Sequence, residues 1–405
     1  MPLKINSSGG GSVSINAPVT GSNFSLTVPA NNATLITSDG GAITGNVAIS
    51  GNLSVSGNNI NPFGGMRNRI INGNMVIDQR NAGASVTPTS GTASFIVDRF
   101  SILGTQSSKF TAQQNAGSVT PPPGFSNYLG ITSSSAYTSI SSDLFRLFHT
   151  IEGYNIADFA WGTASAKSIT LSFWVRSSLT GTFGGCLQNQ TNNRAYAFTY
   201  TISASNTWEY KTITIPGETS GTWYTNNTLG LAINFDFGSG SSKQISPGSW
   251  QAVDANAATG CTSIVGTSGA TLYLTGIQVE VGTQATPFDR RPYGQELALC
   301  QRYFWRTDDT GSYPSFGSGV AESTTRSLIH INHPVAMRAA ATASYAGTLY
   351  MNDSADHTVS SIVNTYWSPN STGIRFGTSG LTAGRGVFAY LEATGTNYFQ
   401  LDSEL

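Results

Sequence analysis

The run Thr271-Leu-Tyr-Leu-Thr-Gly-Ile-Gln-Val-Glu-Val281 leads through Thr286-Pro-Phe-Asp-Arg-Arg-Pro-Tyr293 into Gly294-Gln-Glu-Leu-Ala-Leu-Cys-Gln-Arg-Tyr303. The first run is rich in β-branched and aromatic residues, which predicts a strand. In the last run Leu297 and Cys300, together with Phe304 just beyond it, are spaced as the apolar face of a helix, predicted from Gln295 to about Arg306. The sequence on both sides is β-rich and polar. We therefore expect a short helix between two β domains.

The composition of the chain agrees with an all-β protein. Only 10% of its 405 residues are charged, against about 25% in average proteins. Glycine (45 residues) is abundant and aromatics make up 11%. A disordered chain would lack the aromatic residues. We expect many short strands joined by tight turns, with a surface of hydroxyls and amides.

Several functional classes lack support in the sequence. The net charge is −1 and no cluster of Lys and Arg occurs, which argues against a nucleic-acid partner. No apolar run is long enough for membrane insertion, and the first residues contain no apolar signal-peptide core. The three cysteines lie far apart, at 186, 261 and 300, so we predict neither a disulfide framework nor a metal site.

Residues 1–66 form a distinct N-terminal segment in which Asp39 is the only charged residue between Lys4 and Arg67. Strand-like pieces at Ser12–Ile15 and Phe24–Val28 precede a six-residue repeat that begins at Gly45, Gly51 and Gly57. The repeat places apolar residues two positions apart: Val47, Ile49, Leu53 and Val55. One chain cannot bury such a short stripe alone, but several chains around a common axis can. These four residues are predicted shaft and trimer contacts; a flexible linker is the alternative.

Residues 67–294 predict a large β domain. The clearest strands are 168–176, 196–202, 208–215, 229–237 and 271–281. Tyr196, Phe198, Tyr200 and Ile202 share one strand face, and the strand from Leu229 alternates in the same way. Alternation of this kind is typical of antiparallel sheets with one packed face and one solvated face. We expect a two-sheet sandwich.

Residues 295–405 predict a smaller β domain that is rich in aromatic residues beside polar ones. Exposed aromatic rings with amide, carboxylate and guanidinium groups suit the binding of sugars. The candidate glycan-binding residues are Trp305, Asp308, Asp309, Tyr313, Tyr366, Trp367 and Arg375. Packing in a core or between subunits is the alternative for each aromatic residue.

The junction and the motifs Arg67–Arg80, Val97–Phe100 and Ile151–Gly162 resemble those of tail-fibre and receptor-binding proteins of tailed bacteriophages. The resemblance covers more than half of the chain. It implies a jelly-roll body similar to carbohydrate-binding modules, an N-terminal attachment to the phage tail or baseplate, and a receptor-binding tip. It also implies an elongated homotrimer located in the virion.

Catalytic and metal-binding patterns have weak support. Glycoside hydrolysis requires two carboxylates across a cleft, but Asp308 with Asp309 and Asp353 with Asp356 lie in turn-like sequence. Glu152, near His149 and Asp158, is expected to form structural hydrogen bonds. His330 and His333 would point to opposite faces of a strand, which disfavours a shared metal ion. Gly184-Gly-Cys186 has no identifiable activating partner.

The sequence therefore predicts an all-β, elongated homotrimer with an N-terminal attachment and shaft segment (1–66), a jelly-roll body (67–294) and a β tip (295–405). The predicted function is non-enzymatic and needs no cofactor: the N-terminus binds a tail or baseplate protein, and the tip binds a host polysaccharide or lipopolysaccharide. Two alternatives remain open. One is a trimeric glycan-degrading tailspike, either a depolymerase or an esterase, and the other is a structural spacer.

Overall fold

The computed structural model describes residues 66–308, 313–393 and 397–405, together with the strands β1 (Leu3–Asn6) and β2 (Ser12–Ile15). The chain divides into two compact units, Met1–Ile60 and Asn61–Leu405. In the first unit β1 and β2 pair antiparallel, which confirms the predicted strand at Ser12–Ile15. The predicted strand at 24–28 and the shaft contacts Val47, Ile49, Leu53 and Val55 lie outside the described residues.

Residues 66–292, here called the sandwich, contain two large antiparallel sheets and a short parallel sheet formed by Gln244–Ile245 and Ala257–Ala258. Their strands are β3 (Ser94–Val97), β4 (Phe100–Gly104), β5 (Phe110–Gln114), β6 (Leu129–Ser133), β7 (Phe145–Glu152), β8 (Ile169–Ser177), β9 (Gly181–Gln188), β10 (Ala195–Ile202), β11 (Glu209–Ile215), β12 (Leu229–Asp236), β13 (Gln244–Ile245), β14 (Trp250–Gln251), β15 (Ala257–Ala258) and β16 (Thr271–Val281). The seven-stranded sheet has the order β14-β10-β9-β12-β7-β4-β3, and the five-stranded sheet has the order β11-β8-β16-β6-β5. Short 3-10 turns occupy Ala116–Ser118, Gly153–Asn155, Ala157–Phe159 and Ser241–Lys243. The predicted all-β sandwich is confirmed.

The sandwich core consists of apolar side chains from the inner faces of both sheets. Phe173 of the five-stranded sheet meets Tyr200 and Phe235 of the seven-stranded sheet edge to face, with ring centroids 5.0 and 5.1 Å apart. Phe110 likewise meets Phe237 at 4.7 Å. Such contacts between aromatic rings add to the free energy gained by burying them.

The outer face of the seven-stranded sheet differs from the expected solvated face. The predicted alternation holds on its inner side, but Ala232, Asn234 and Asp236 on the outer side are also buried. The segment that carries β13 and β15 covers this face, and Ile245 and Ala258 pack there on Cys186. The expectation of one packed face per strand was therefore wrong for this sheet.

Gly184 allows this covering segment to approach the sheet closely, since a Cβ atom there would lie 2.9 Å from Cys261 Sγ and 3.1 Å from Ala258 Cβ. A Cβ atom at Gly184 or Gly185 would collide with backbone oxygen atoms of the neighbouring strands. The adjacent Cys186 is a free, fully buried thiol, and burial raises its pKa far above the usual value. Gly184-Gly-Cys186 is thus a packing motif rather than an activated nucleophile.

The junction helix α1 spans Tyr293–Gln301. It is shorter than predicted, because the chain turns at Arg302 and Tyr303 and continues as a strand from Phe304. Cys300 and Phe304 are fully buried as expected, whereas Leu297 is only half-buried. Cys300 and Tyr303 pack against Ile71 and Ile77 of the sandwich. No helix in the described part of the chain is long and apolar enough to cross a membrane.

The C-terminal region (residues 293–405) adds two further sheets to α1. Its strands are β17 (Phe304–Asp308), β18 (Ser315–Ser323), β19 (Arg326–Asn332), β20 (Thr342–Ala346), β21 (Leu349–Asn352), β22 (Asp356–Thr358), β23 (Ser361–Ser368), β24 (Ser371–Gly377), β25 (Gly386–Leu391) and β26 (Tyr398–Asp402). A three-stranded sheet has the order β17-β26-β20, and a seven-stranded sheet has the order β22-β21-β25-β18-β19-β24-β23. A second hydrophobic core lies in this region.

Buried ion pairs join the C-terminal region to the sandwich. The carboxylate of Glu404 pairs with Arg99, whose side chain is fully buried, and with Arg80 at 3.0 Å. Arg80 also pairs with Asp402 at 2.9 Å, and its guanidinium lies 3.4 Å from the ring centroid of Phe304. The two cores therefore belong to one compact unit that begins at Asn61.

A second contact of this junction is formed by Glu152 at the end of β7. Its carboxylate accepts hydrogen bonds from Arg302 at 2.5 Å and from the Tyr303 hydroxyl at 2.6 Å. Burial by itself would raise the pKa of Glu152, but the hydrogen bonds from Arg302 and Tyr303 outweigh it and hold the pKa below its usual value. Glu152 thus has a structural role, and Asp158 pairs separately with Arg69 at 2.7 Å.

We predict that Glu404→Gln strongly destabilises the unit that begins at Asn61. The substitution leaves the guanidinium of Arg99 buried without a charged partner, which typically costs about 3–5 kcal/mol. Guanidinium unfolding followed by tryptophan fluorescence measures the change. As the control, Lys211→Gln removes an ion pair whose two side chains remain partly open to solvent, for which we expect a loss below about 1 kcal/mol. Equal unfolding midpoints for the two variants would contradict the prediction.

We also predict a pH-dependent contribution to stability from Asp236. Burial raises the pKa of its carboxyl group from 3.8 to about 6, more than the hydrogen bonds from Ser239 lower it. The folded state therefore holds the proton more tightly, so this contribution is present below pH 3.8 and is lost as the pH rises through about 6. Its size is on the order of 2–3 kcal/mol, at about 1.4 kcal/mol per pKa unit.

The measurement compares the free energy of unfolding of the wild type and Asp236→Asn between pH 4 and pH 7. The amide cannot titrate, so the wild type should lose stability relative to the variant as the pH rises. A difference that does not change with pH would contradict the assignment.

Candidate functional site

The outer face of the seven-stranded C-terminal sheet carries a row of side chains that begins at its edge strand, β23. Tyr366 lies opposite Gly373 of β24, and Gly373 lies opposite His330 of β19. Because glycine has no side chain, the row is interrupted between the tyrosine and histidine rings. The sheet thus places a depression between an aromatic ring and an imidazole.

This depression is a groove of about 560 Å³, here called the C-terminal groove. The residues that line it are Gly319, Val320, Leu328, His330, Tyr366, Trp367, Ser368, Ser371 and Gly373. Tyr366 is 46% exposed and Trp367 is 39% exposed. Since β23 is the outermost strand, the Trp367 ring reaches solvent at the open edge even though it follows Tyr366 directly. Two predicted site residues therefore meet in one groove.

Arg375 positions the ring of Tyr366. Its guanidinium lies 4.9 Å from the ring centroid and donates a hydrogen bond to the tyrosine hydroxyl. Glu322 holds the other side of the guanidinium, at 2.8 Å from both Nε and Nη2. The hydrogen bonds from Arg375 lower the pKa of the Glu322 carboxyl. Arg375 thus lies outside the groove lining. Its charge is neutralised by Glu322, and it orients the Tyr366 ring that forms one wall of the groove.

The other predicted site residues lie elsewhere. Trp305 is half-buried on β17 and meets Phe399 edge to face at 6.2 Å. Tyr313 is 58% exposed and contacts Tyr390 of β25, which is not among the groove-lining residues. Asp308 ends β17, and its side chain lies outside the description, as does all of Asp309. The structure brings together Tyr366, Trp367 and Arg375 but neither Trp305 nor Tyr313.

A second aromatic group occupies the same outer face near β21 and β25. The rings of Tyr350 and Phe388 lie 5.4 and 5.7 Å from that of Tyr390. Phe388 is 44% exposed. With Tyr313, these rings form an aromatic stripe in which Tyr313 and Phe388 are exposed and Tyr390 is buried. Exposed apolar surface of this kind in soluble proteins is often an interaction surface.

The histidines and carboxylates suspected of chemistry have separate partners. The buried ring of His333 lies 2.9 Å from the carbonyl of Pro369 and 2.7 Å from the Thr372 hydroxyl, whereas His330 is exposed in the groove. Asp353 pairs with His357 at 3.0 Å. Among the described residues, no group of three or more His, Cys, Asp or Glu side chains is arranged for a metal ion.

Most residues of the groove floor were not predicted from the sequence. Leu328 and Val320 are apolar residues on strands whose core-facing positions are Ile329, Ile331 and Ala321. An apolar residue on the outward side of an alternating strand is the signal that could have found them. The contribution of Gly373 depends on register, which the sequence did not provide.

No protein-family model and no curated protein sequence matches this chain. Among solved structures, one similar protein is the enzymatically active domain of tailspike protein 4 from bacteriophage CBA120, which is 13% identical. The match covers 53% of this chain and 22% of the tailspike chain, with a TM-score of 0.29. This chain therefore spans about a fifth of that domain.

Two other similar structures are matched over their whole length. A putative sugar binding protein from Bacteroides thetaiotaomicron is 11% identical, with 53% of this chain covered, 100% of that chain and a TM-score of 0.31. The family 11 carbohydrate-binding module of a Clostridium thermocellum cellulosomal cellulase is 13% identical. The match covers 51% of this chain and 100% of the module, with a TM-score of 0.24. At these scores the fold assignment rests on the strand order of the sandwich itself.

Proposed function

We propose that this chain is a tail-fibre or receptor-binding protein of a tailed bacteriophage that binds a host-surface glycan through its C-terminal region. The observation that carries the proposal is the C-terminal groove, where two exposed aromatic rings meet a histidine, two serines and an apolar floor. Sugar rings present apolar faces that stack on aromatic side chains, and hydroxyls that need hydrogen-bonding partners. The groove offers both.

The fixed geometry of Tyr366 strengthens this proposal. A flexible aromatic side chain would lose conformational freedom when a ligand binds, which weakens affinity. The hydroxyl of Tyr366 is bound by Arg375, and Arg375 is held by Glu322. The ring is therefore oriented before a ligand arrives.

Binding without catalysis fits the residues of the groove. A glycosidase needs two carboxyl groups that flank the scissile bond. The residues that line the C-terminal groove include no carboxylate. Glu322, the nearby acid, accepts hydrogen bonds from Arg375 and Arg326. The proposal is therefore a lectin-like role rather than glycan degradation.

The attachment role belongs to the N-terminal segment. Its charge-poor sequence and hexad repeat favour a shaft shared among chains. Attachment to a tail or baseplate protein, and location in the virion, follow from the family resemblance. In a homotrimer, three weak glycan sites would act together and raise the apparent affinity.

The sharpest test of glycan binding is a pair of point variants at the groove. We expect the wild-type chain to bind at least one member of a panel of immobilised bacterial lipopolysaccharides and capsular polysaccharides in biolayer interferometry. Trp367→Ala and Tyr366→Ala should weaken that binding roughly 5- to 100-fold, because stacking on one aromatic ring contributes on the order of 1–3 kcal/mol.

Tyr154→Ala is the matched control, since this tyrosine is 61% exposed and is not among the residues that line the C-terminal groove. Point variants are preferable to deletion of the C-terminal region, because deletion would leave Arg80 and Arg99 without Asp402 and Glu404. Unchanged binding by both groove variants would refute the assignment of the site. Release of reducing ends or acetate from the bound polysaccharide would favour the enzyme instead.

We predict a trimer for the full-length chain in solution, with a mass near three times 42.6 kDa. The reason is the apolar hexad stripe together with the exposed rings of Tyr313 and Phe388 in the aromatic stripe. Light scattering coupled to size exclusion measures the mass. Replacement of Val47, Ile49, Leu53 and Val55 by Asn should shift it towards the monomer, and a monomeric wild type would contradict the prediction.

A further inference from the structure

The sandwich carries a second groove on the outer face of its five-stranded sheet. It has a volume of about 450 Å³ and is here called the sandwich groove. Its lining residues are Phe125, Trp174, Tyr210, Gly276, Ala285, Thr286, Pro287, Phe288 and Arg290. One wall is the sheet, and the other is the segment 285–290 that leads to α1.

The sheet wall is a pair of aromatic rings. Trp174 of β8 lies directly opposite Tyr210 of β11. Their ring centroids are 5.4 Å apart, and Tyr210 is 42% exposed. Both residues occupy the outward positions of their strands, where threonine and serine are their neighbours. This placement leaves an aromatic surface that the sandwich core does not use.

Gly276 allows the opposite wall to approach this surface. Its φ of +63° lies in the left-handed region that favours glycine. A Cβ atom there would lie 2.6 Å from the Phe125 ring and 3.2 Å from the Trp174 ring. The missing side chain lets Phe125 lie beside Trp174, where it also meets Phe288 edge to face at 5.2 Å.

Arg290, which lines the sandwich groove, carries a positive charge without a carboxylate partner among the described residues. The exposed guanidinium of Arg290 lies 4.6 Å from the ring centroid of Phe125 and 5.6 Å from that of Phe288. The neighbouring Asp289 does not pair with it, because that carboxylate receives Asn68 N–H and lies 3.6 Å from Arg67. Among the described residues, no carboxylate lies within ion-pair distance of Arg290.

A second cation extends the same face. Arg176 follows Trp174 by two positions on β8 and therefore points outward beside it. Its Nε donates a hydrogen bond to the carbonyl of Asn206, and its guanidinium lies 5.5 Å from the Tyr273 ring. The described part of the chain contains no ion-pair partner for Arg176. The face therefore combines aromatic rings with two positive charges that nothing nearby neutralises.

We propose that the sandwich groove binds an acidic sugar residue of a polysaccharide. The pyranose ring stacks on Trp174 and Tyr210, while its carboxylate pairs with Arg290. Charge complementarity selects this ligand over a neutral sugar. The C-terminal groove differs in this respect, because its nearest guanidinium, that of Arg375, is already paired with Glu322. The inference goes beyond the proposed function, since it concerns another site and a distinct ligand class.

The test measures binding of the full-length chain to four acidic polysaccharides by affinity gel electrophoresis: polygalacturonate, hyaluronan, alginate and polysialate. Each is paired with its own preparation in which the carboxylates have been converted to methyl esters. We expect at least one acidic polymer to retard the protein, and its ester to retard it much less. Retardation should decrease as ionic strength rises, because salt screens exposed charges.

Variants then locate the site. Arg290→Gln should weaken binding about fivefold or more, and Tyr210→Ala should do so to a similar degree through lost stacking. Lys167→Gln is the control, because it removes the same charge from an exposed residue that does not line the groove. Tyr154→Ala should leave this binding intact, because Tyr154 is exposed and is not among the lining residues of either groove.

Three outcomes would overturn the proposal. No acidic polymer retards the wild type; the methyl esters retard it equally; or Arg290→Gln binds like Lys167→Gln. Both Arg290 and Tyr210 are exposed, so loss of folding is not expected to obscure the result, and circular dichroism of each variant verifies this.

Discussion

The C-terminal region depends on the buried pairing of Arg99 with Glu404. Arg99 lies in the turn between β3 and β4, and its side chain is fully buried. Burial lowers the pKa of this guanidinium, which reflects the cost of removing a charge from water. The carboxylate of Glu404, the Thr150 carbonyl and the ring of Tyr303 together offset that cost. Because these partners come from distant parts of the chain, the pairing forms only when the sandwich, the junction helix and the last strand are all in place.

Both grooves are built partly from segments close to this buried junction. The sandwich groove is closed on one side by segment 285–290, which leads directly into α1. The C-terminal groove lies on a sheet whose core also includes Phe399 and Leu401 of β26, and β26 ends beside Glu404. Both grooves lie within the one compact unit that begins at Asn61.

The two grooves combine similar aromatic surfaces with arginines that have different partners. Beside the C-terminal groove the guanidinium of Arg375 pairs with Glu322 and donates a hydrogen bond to Tyr366. The pair therefore orients Tyr366 and carries no net charge. In the sandwich groove Arg290 stacks on Phe125 and keeps its charge free for a ligand. Both grooves have an arginine beside aromatic rings, but only Arg375 has a carboxylate partner among the described residues, and the proposed ligands differ for that reason.

The sequence by itself determined the all-β class, five strands of the sandwich (β8, β10, β11, β12 and β16) and the position of the junction helix, because alternation with period two and an i, i+3 apolar spacing are local properties. It also singled out Tyr366, Trp367 and Arg375. The tertiary structure alone decided that Arg375 stands behind Tyr366, that Gly373 opens the groove floor, and that the motifs around Arg80 and Arg99 serve the C-terminal residues Asp402 and Glu404. Each of these depends on strand register or on contacts between residues far apart in the chain, and local patterns carry no information about which distant side chain will meet a buried charge.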